Sequence, residues 1–180
     1  MGSITAEGEV NLSVYAPMDV VMMAGLESEA EALEGRTLCQ RDGENYEIRA
    51  RLPQAGGYAL RAYAKKIDDP GAYKSVMQYS INASSGVESS YPLTFGRFGE
   101  VGAHLYIPLE GSLRAGQSYH FRIRVPEASE VAVVCGKEWS RLEGQGDLFE
   151  GNVTVAKGEA GIFANFGGET WEGMMRYVAS

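Results

Sequence analysis

Side chains alternate between apolar and polar with a period of two in several stretches of this sequence. That pattern commits them to strands with one buried face. Val10, Leu12, Val14 and Ala16 alternate before Pro17, and Tyr119, Phe121, Ile123 and Val125 alternate before Pro126. Proline closes both runs because it cannot donate to a strand ladder. Tyr46, Ile48, Ala50 and Leu52 keep the same beat against Glu47, Arg49 and Arg51. After Phe149 it returns at Val153 and Val155, with Glu150, Asn152 and Thr154 opposite.

The runs occur twice. Pro17 and Leu33 match Pro126 and Leu142 at a spacing of 109, and Tyr46-Glu47 matches Phe149-Glu150 at 103. Tyr73 and the Val76-Met77-x-Tyr79 phrase match Trp171 and Met174-Met175-x-Tyr177 at 98. A spacing that shrinks in steps is what loop deletions leave behind when strands stay aligned. A long unit present only twice indicates two tandem domains and not an array. The expected fold is therefore all-β: two tandem immunoglobulin-like β-sandwich domains related by internal duplication, residues 1–84 and 85–180. Strands are expected at 10–16, 19–24, 46–52, 58–65 and 75–82, then at 103–108, 119–125, 130–135, 149–155, 161–166 and 173–179. Residues 26–33, LESEAEAL, read as a surface helical turn or polar loop.

The immunoglobulin comparison comes from Leu52-Pro53-x-x-Gly56-Gly57-Tyr58-x-Leu60. It has the shape of a tyrosine corner, with Leu60 where the second core cysteine would stand. In the second unit Gly161 takes the place of Tyr58, and Phe163 that of Leu60. Cys39 and Cys135 fall one to each unit, so neither has an internal core disulfide. Only nine residues precede Val10, against a long lead from Tyr91 to Gly116 before Tyr119. The first unit thus has room for a short or missing N-terminal strand, as in a fragment or a domain completed from outside. Residues 84–90, SSGVESS, have linker composition, and the apolar Tyr91, Leu93, Phe95, Phe98 and Val101 are expected to pack near the boundary.

Three phrases together resemble one family: P-x-x-G-x-Y-x-L-x-x-Y-A from Pro53, Y-x-x-V-x-x-Y from Tyr73, and L-x-x-G-x-x-Y-x-F-x-I-x-x-P from Leu113. They are similar to the immunoglobulin-like region of the kyphoscoliosis peptidase and hillarin family. There such domains follow a transglutaminase-like core that carries the catalytic Cys, His and Asp. None of those residues can be carried onto this chain. The resemblance implies an accessory or interaction segment of a transglutaminase-like protein.

Charge and motifs narrow the function further. The net charge is −8, spread over both halves, and such a surface repels phosphate backbones. Nucleic acid is not an expected partner. No apolar stretch reaches 18 residues, so no membrane insertion is expected. His104 and His120 both read as outward-facing strand residues without a nucleophile beside them. Asp68-Asp69-Pro70-Gly71 reads as a solvated turn, since a calcium site needs six to eight oxygens. With no CxxC pair and no Gly-rich phosphate loop, no catalytic residue, metal site or cofactor is expected. Trp171 repeats Tyr73 and reads as core. Trp139, between Lys137-Glu138 and Ser140-Arg141, is the candidate exposed contact. The leading expectation is a non-catalytic interaction or spacer module with a protein partner. The alternative is a carbohydrate-binding module, suggested by the aromatic content.

Overall fold

The computed structural model describes residues 2–29 and 31–180, and the chain divides into two compact units between Tyr91 and Pro92. The first unit contains β1 (Gly2–Glu7), β2 (Glu9–Tyr15), β3 (Val20–Ser28), β4 (Glu31–Ala32), β5 (Thr37–Asp42), β6 (Asn45–Arg51), β7 (Gly56–Lys66) and β8 (Lys74–Ser85). One sheet runs β1-β8-β7-β3-β4 and the other β2-β6-β5. The second unit contains β9 (Leu93–Thr94), a short helix α1 (Gly96–Glu100), β10 (His104–Ile107), β11 (Ser112–Leu113), β12 (Ser118–Arg124), β13 (Glu130–Cys135), β14 (Glu138–Arg141), β15 (Glu143–Gln145), β16 (Leu148–Thr154), β17 (Gly158–Asn165) and β18 (Trp171–Ala179). Its sheets run β11-β18-β17-β13-β14, with β9 on β18, and β10-β12-β16-β15.

These are two immunoglobulin-like β-sandwiches with the same connectivity. In each, a single parallel pair joins the sheet edge to the last strand: β1 to β8, and β11 to β18. The inner faces form two separate apolar cores. One is built on Leu26, Tyr46, Ile48, Leu52 and Leu60, the other on Phe98, Phe121, Ile123, Ile162 and Tyr177.

The duplication is visible in register. Val14 stands opposite Tyr46 and Ile123 opposite Phe149, so Tyr46 and Phe149 occupy equivalent buried places. The last hairpin corrects the sequence alignment. Gly56 opens β7 opposite Ala83, and Gly158 opens β17 opposite Ala179; both have positive φ, +148° and +121°. Inward residues are then Tyr58, Leu60 and Ala62 in β7, and Ala160, Ile162 and Ala164 in β17. The expected match of Phe163 with Leu60 is one residue out of phase, and such a slip turns every side chain to the other face. The stretch from Phe149 to Gly158 is one residue shorter than that from Tyr46 to Gly56, which explains the slip. Tyr79 and Tyr177 are not equivalent either. Tyr79 is half-buried opposite Leu60, while Tyr177 is wholly buried opposite Ala160 and donates to the Pro108 carbonyl at 3.1 Å.

Other expectations also shift. No helix forms at LESEAEAL: Leu26–Ser28 finishes β3 and Glu31–Ala32 is β4, with Ala30 outside the described residues. Strand β5 lacks clean alternation because Gln40 and Arg41 are buried polar residues. Arg41 donates to the carbonyls of Ala16, Pro17, Val20 and Gly43 and stacks on Tyr46, 4.4 Å from its ring centre. The N-terminal strand β1 is six residues long, and among the described residues no strand lies beyond β2 where β10 lies beyond β12. His104, expected to face outward, is instead buried (9% exposed), with its ring 4.7 Å from that of Tyr106 and its backbone opposite Arg124 in the β10–β12 ladder. The SSGVESS stretch is bound to the first unit. The Val87 N–H donates to the Leu52 carbonyl, and Arg36 donates to the carbonyls of Val87 and Ser89. Tyr91 is buried, donates to Glu9 at 2.6 Å and lies under the Arg51 guanidinium.

Tyr58 forms the tyrosine corner. Its ring is 7% exposed, and its hydroxyl donates to the Gln54 carbonyl at 2.8 Å. Tyr58→Phe leaves that acceptor unmet, and urea unfolding is expected to show a loss of about 1–3 kcal/mol with an unchanged m-value. Glu47 offers a pH test. Partial burial opposes its charge, but hydrogen bonds from Arg49, Gln40 and Asn11 outweigh this and hold its carboxyl below the usual 4.5. A lowered folded pKa gives stability that is present above the unfolded value and lost as pH falls through the folded one. The stability gap between the native chain and Glu47→Gln is therefore expected near pH 7 and should close towards pH 3.

Candidate functional site

An aromatic cluster covers the outer face of the β14-β13-β17-β18 sheet. Strand alternation places it there: the residues between Ala160, Ile162 and Ala164 are Gly161 and Phe163, which face away from the core. Trp139 of β14 packs against Phe163 with ring centres 5.7 Å apart, and against Trp171 of β18 at 5.1 Å in an edge-to-face pose. Such poses match the positive edge of one ring to the negative face of the next. Trp139 is 49% exposed and Phe95 43%.

Two glycines make room for the rings. A Cβ on Gly161 would lie 2.7 Å from Phe163 Cε2, and one on Gly173 would lie 3.2 Å from Phe95 Cδ2. Phe95 is held by its own N–H, which donates to the Met174 carbonyl at 2.9 Å. Phe95 and Phe163 border a cleft of about 520 Å³ whose other walls include Val134, Lys157, Glu159 and Arg176. Ion pairs rim the face: Arg176 with Glu159 at 3.1 Å, Arg97 with Glu172 at 2.8 Å and Arg141 with Glu130 at 3.0 Å. Arg141 also lies 5.9 Å from the Trp171 ring centre. An apolar centre with a charged rim is the usual anatomy of a protein contact surface.

Trp171, expected in the core, is half-buried on this outer face, so its repeat of Tyr73 does not mark a core position. Phe95 and Phe163 were not legible as members of the cluster. The parity of β17 would have placed Phe163 had the strand been read in phase; nothing in the sequence marks Phe95.

The remaining candidates are scattered. His120 is exposed, 3.0 Å from Asn152 and 3.5 Å from Glu150. Asp69 accepts from the Gly71 N–H at 2.8 Å inside its own turn. Cys39 and Cys135 are free thiols, and burial pushes the Cys39 thiol up to about 12 against the pull of Arg41. A thiol that stays protonated is a poor nucleophile. Among the described residues no group of three or more His, Cys, Asp or Glu side chains converges as a metal site, and no helix is long and apolar enough to cross a membrane.

The family described as "KY-like, immunoglobulin-like domain" matches residues 2–94. Kyphoscoliosis peptidase of Homo sapiens is 25% identical over 159 residues, covering 84% of this chain and 24% of that protein. The Mus musculus protein is 24% identical over the same share of each. The chain thus spans about a quarter of the length of these curated relatives. Among solved structures, the titin Ig tandem A164-A165 covers 99% of this chain and 91% of its own at 10% identity and a TM-score of 0.27. A chimeric titin Z1Z2-Z1Z2 tandem covers 99% and 94% at 10% identity and a TM-score of 0.30.

Gly161→Ala tests the aromatic packing. The new Cβ meets one edge of the half-buried Phe163 ring, which has to shift, and the expected cost is about 0.5 kcal/mol as for most surface changes. Tryptophan fluorescence is expected to change while the unfolding midpoint stays nearly constant. A large stability loss with unaltered fluorescence would show that Phe163 is locked in place.

Proposed function

The chain belongs to the KY-like, immunoglobulin-like domain family, and from that premise we propose that it is a non-catalytic interaction or spacer module, an accessory segment of a longer transglutaminase-like protein. The observation that carries this reading is the Trp139–Phe163–Trp171 cluster with Phe95 beside it. These rings lie outside the core of their unit, and two glycines keep the sheet beneath them open. Large aromatic side chains supply most of the binding energy at protein contacts, surrounded by a polar rim. The scattered histidines and the protonated Cys39 thiol support a role without chemistry.

The alternative, a carbohydrate-binding module, has the exposed rings in its favour. Their mutual tilt, 45° for Trp139 with Phe163 and 67° for Trp139 with Trp171, gives no flat strip on which sugar rings could stack in a row. That geometry favours a protein.

Assayed with transglutaminase and peptidase substrates, the purified chain is expected to give no turnover. Turnover abolished by substituting Cys39 or Cys135 would overturn the proposal. Trp139→Ala is expected to leave the fold intact and to weaken a protein partner by about 2 kcal/mol, roughly 30-fold. Glycan-array binding lost in Trp139→Ala would instead establish the carbohydrate reading.

A further inference from the structure

The cleft beside the aromatic cluster has two unlike walls. Glu159, Gly161 and Phe163 are successive outward residues of β17, so Gly161 leaves the floor without a side chain while Phe163 and Glu159 stand on either side of it. Phe95, whose ring lies over Gly173, extends the apolar wall. The cations gather on the other side: Lys157 lies two residues from Glu159, and Arg176 bonds to Glu159. The ladder gives the cleft a direction. Trp139 stands opposite Val134, Val134 opposite Gly161 and Gly161 opposite Arg176, in one row across β14, β13, β17 and β18. Three inter-strand steps make that row about 14 Å long, the reach of about four extended residues.

The charges along the cleft do not balance. Elsewhere on this face Glu130 is matched by Arg141 and Glu172 by Arg97. In the cleft two cations, Lys157 and Arg176, meet one carboxylate, Glu159. Arg176 donates to Glu159 through Nη1 at 3.1 Å, which leaves Nη2 for an incoming acceptor. Lys157 is exposed and, among the described residues, forms no ion pair. This local positive excess stands in a chain whose net charge is −8. A complementary occupant therefore turns carboxylates to Lys157 and Arg176 and apolar groups to Phe95 and Phe163. The volume suits a few side chains and not the face of a folded domain. A compact molecule held in the cleft would leave Trp139, at the head of the row and 49% exposed, without a contact.

We propose that the cleft binds an extended acidic segment of a protein partner in which apolar and acidic side chains alternate. Successive side chains of an extended chain point to opposite sides, so one set meets the two phenylalanine rings and the other meets Lys157 and Arg176. The segment lies along the row from Arg176 over Gly161 to Val134 and Trp139. The proposal rests on the reading of the chain as an interaction module and names the chemistry of its partner. The two fail separately. An inert acidic peptide would remove the acidic segment and leave Trp139→Ala to test the aromatic face. Turnover in the assay above would overturn the module reading and leave peptide binding to be measured.

The probe is a blocked peptide of glycine-flanked, alternating leucine and glutamate, with a matched peptide carrying glutamine for glutamate. Calorimetry on the whole chain is expected to show saturable binding with a Kd tighter than about 1 mM. Amide shifts are expected at Gly158 and Gly161 and none in the first unit. The glutamine peptide is expected to bind at least about threefold more weakly, as is the glutamate peptide to Lys157→Glu. A third peptide, with lysine for glutamate, should bind Lys157→Glu better than it binds the native chain, a reversal that a merely structural role for Lys157 would not produce. Should that variant not fold, the glutamate-against-glutamine comparison on the native chain decides alone. The proposal is overturned by a Kd weaker than about 1 mM, by equal binding of the glutamate and glutamine peptides, or by amide shifts that avoid the cleft. Hexanoate binding as tightly as the peptide would overturn it in favour of a small-molecule site. A dimer in sedimentation that Lys157→Glu dissociates would overturn it in favour of a second copy.

Discussion

Strand alternation is the constraint on which everything else in this protein depends. Successive side chains point to opposite faces, so a sandwich strand has one set of residues that must be dry and one that must tolerate water. In β2 with β6 and in β12 with β16 the dry sets face each other in the same register, Val14 on Tyr46 and Ile123 on Phe149. That shared register keeps two cores alike although few of their residues are identical. Packing supplies the stability, because each unit has one cysteine and both thiols are free.

The same alternation produces the aromatic face. Once Ala160, Ile162 and Ala164 turn inward, Gly161 and Phe163 must turn outward. The ring of Phe163 can lie along the sheet because Gly161 has no Cβ to push it off, and Gly173 does the same service for Phe95. The rings of this surface are seated on backbone and on each other. Aromatic side chains have few rotatable bonds and lose little conformational entropy on binding, which suits them to recognition.

Backbone hydrogen bonding makes the two units unequal. Every strand at a sheet edge leaves half its N–H and C=O groups without a ladder partner. The second unit covers the β12 edge with β10, and it buries His104 and Leu105 in doing so. The first unit sets β1 on β8 as the second sets β11 on β18, and among the described residues β2 has β6 as its one strand neighbour. The polar residues that do tie the first unit together meet backbone carbonyls. Arg41 gathers those around the β2–β3 turn, and Arg36 and Arg51 gather those of residues 87–90, so a stretch with linker composition lies fixed.

The sequence by itself determined the all-β class, the duplication, the β2–β6 and β12–β16 strands and the tyrosine corner at Tyr58. Each is carried by residues close together in the chain, where period-two patterning and turn chemistry act locally. Only the tertiary structure decided the phase of β17, the outward place of Trp171 and the burial of His104. The physical reason is that each depends on a partner strand distant in sequence. A one-residue change in loop length reverses which side chains face the core, and nothing in the strand's own residues records it. Gly161 and Phe163 read equally well as core or surface until Ala160 and Ile162 meet Cys135 and Val133 across the ladder.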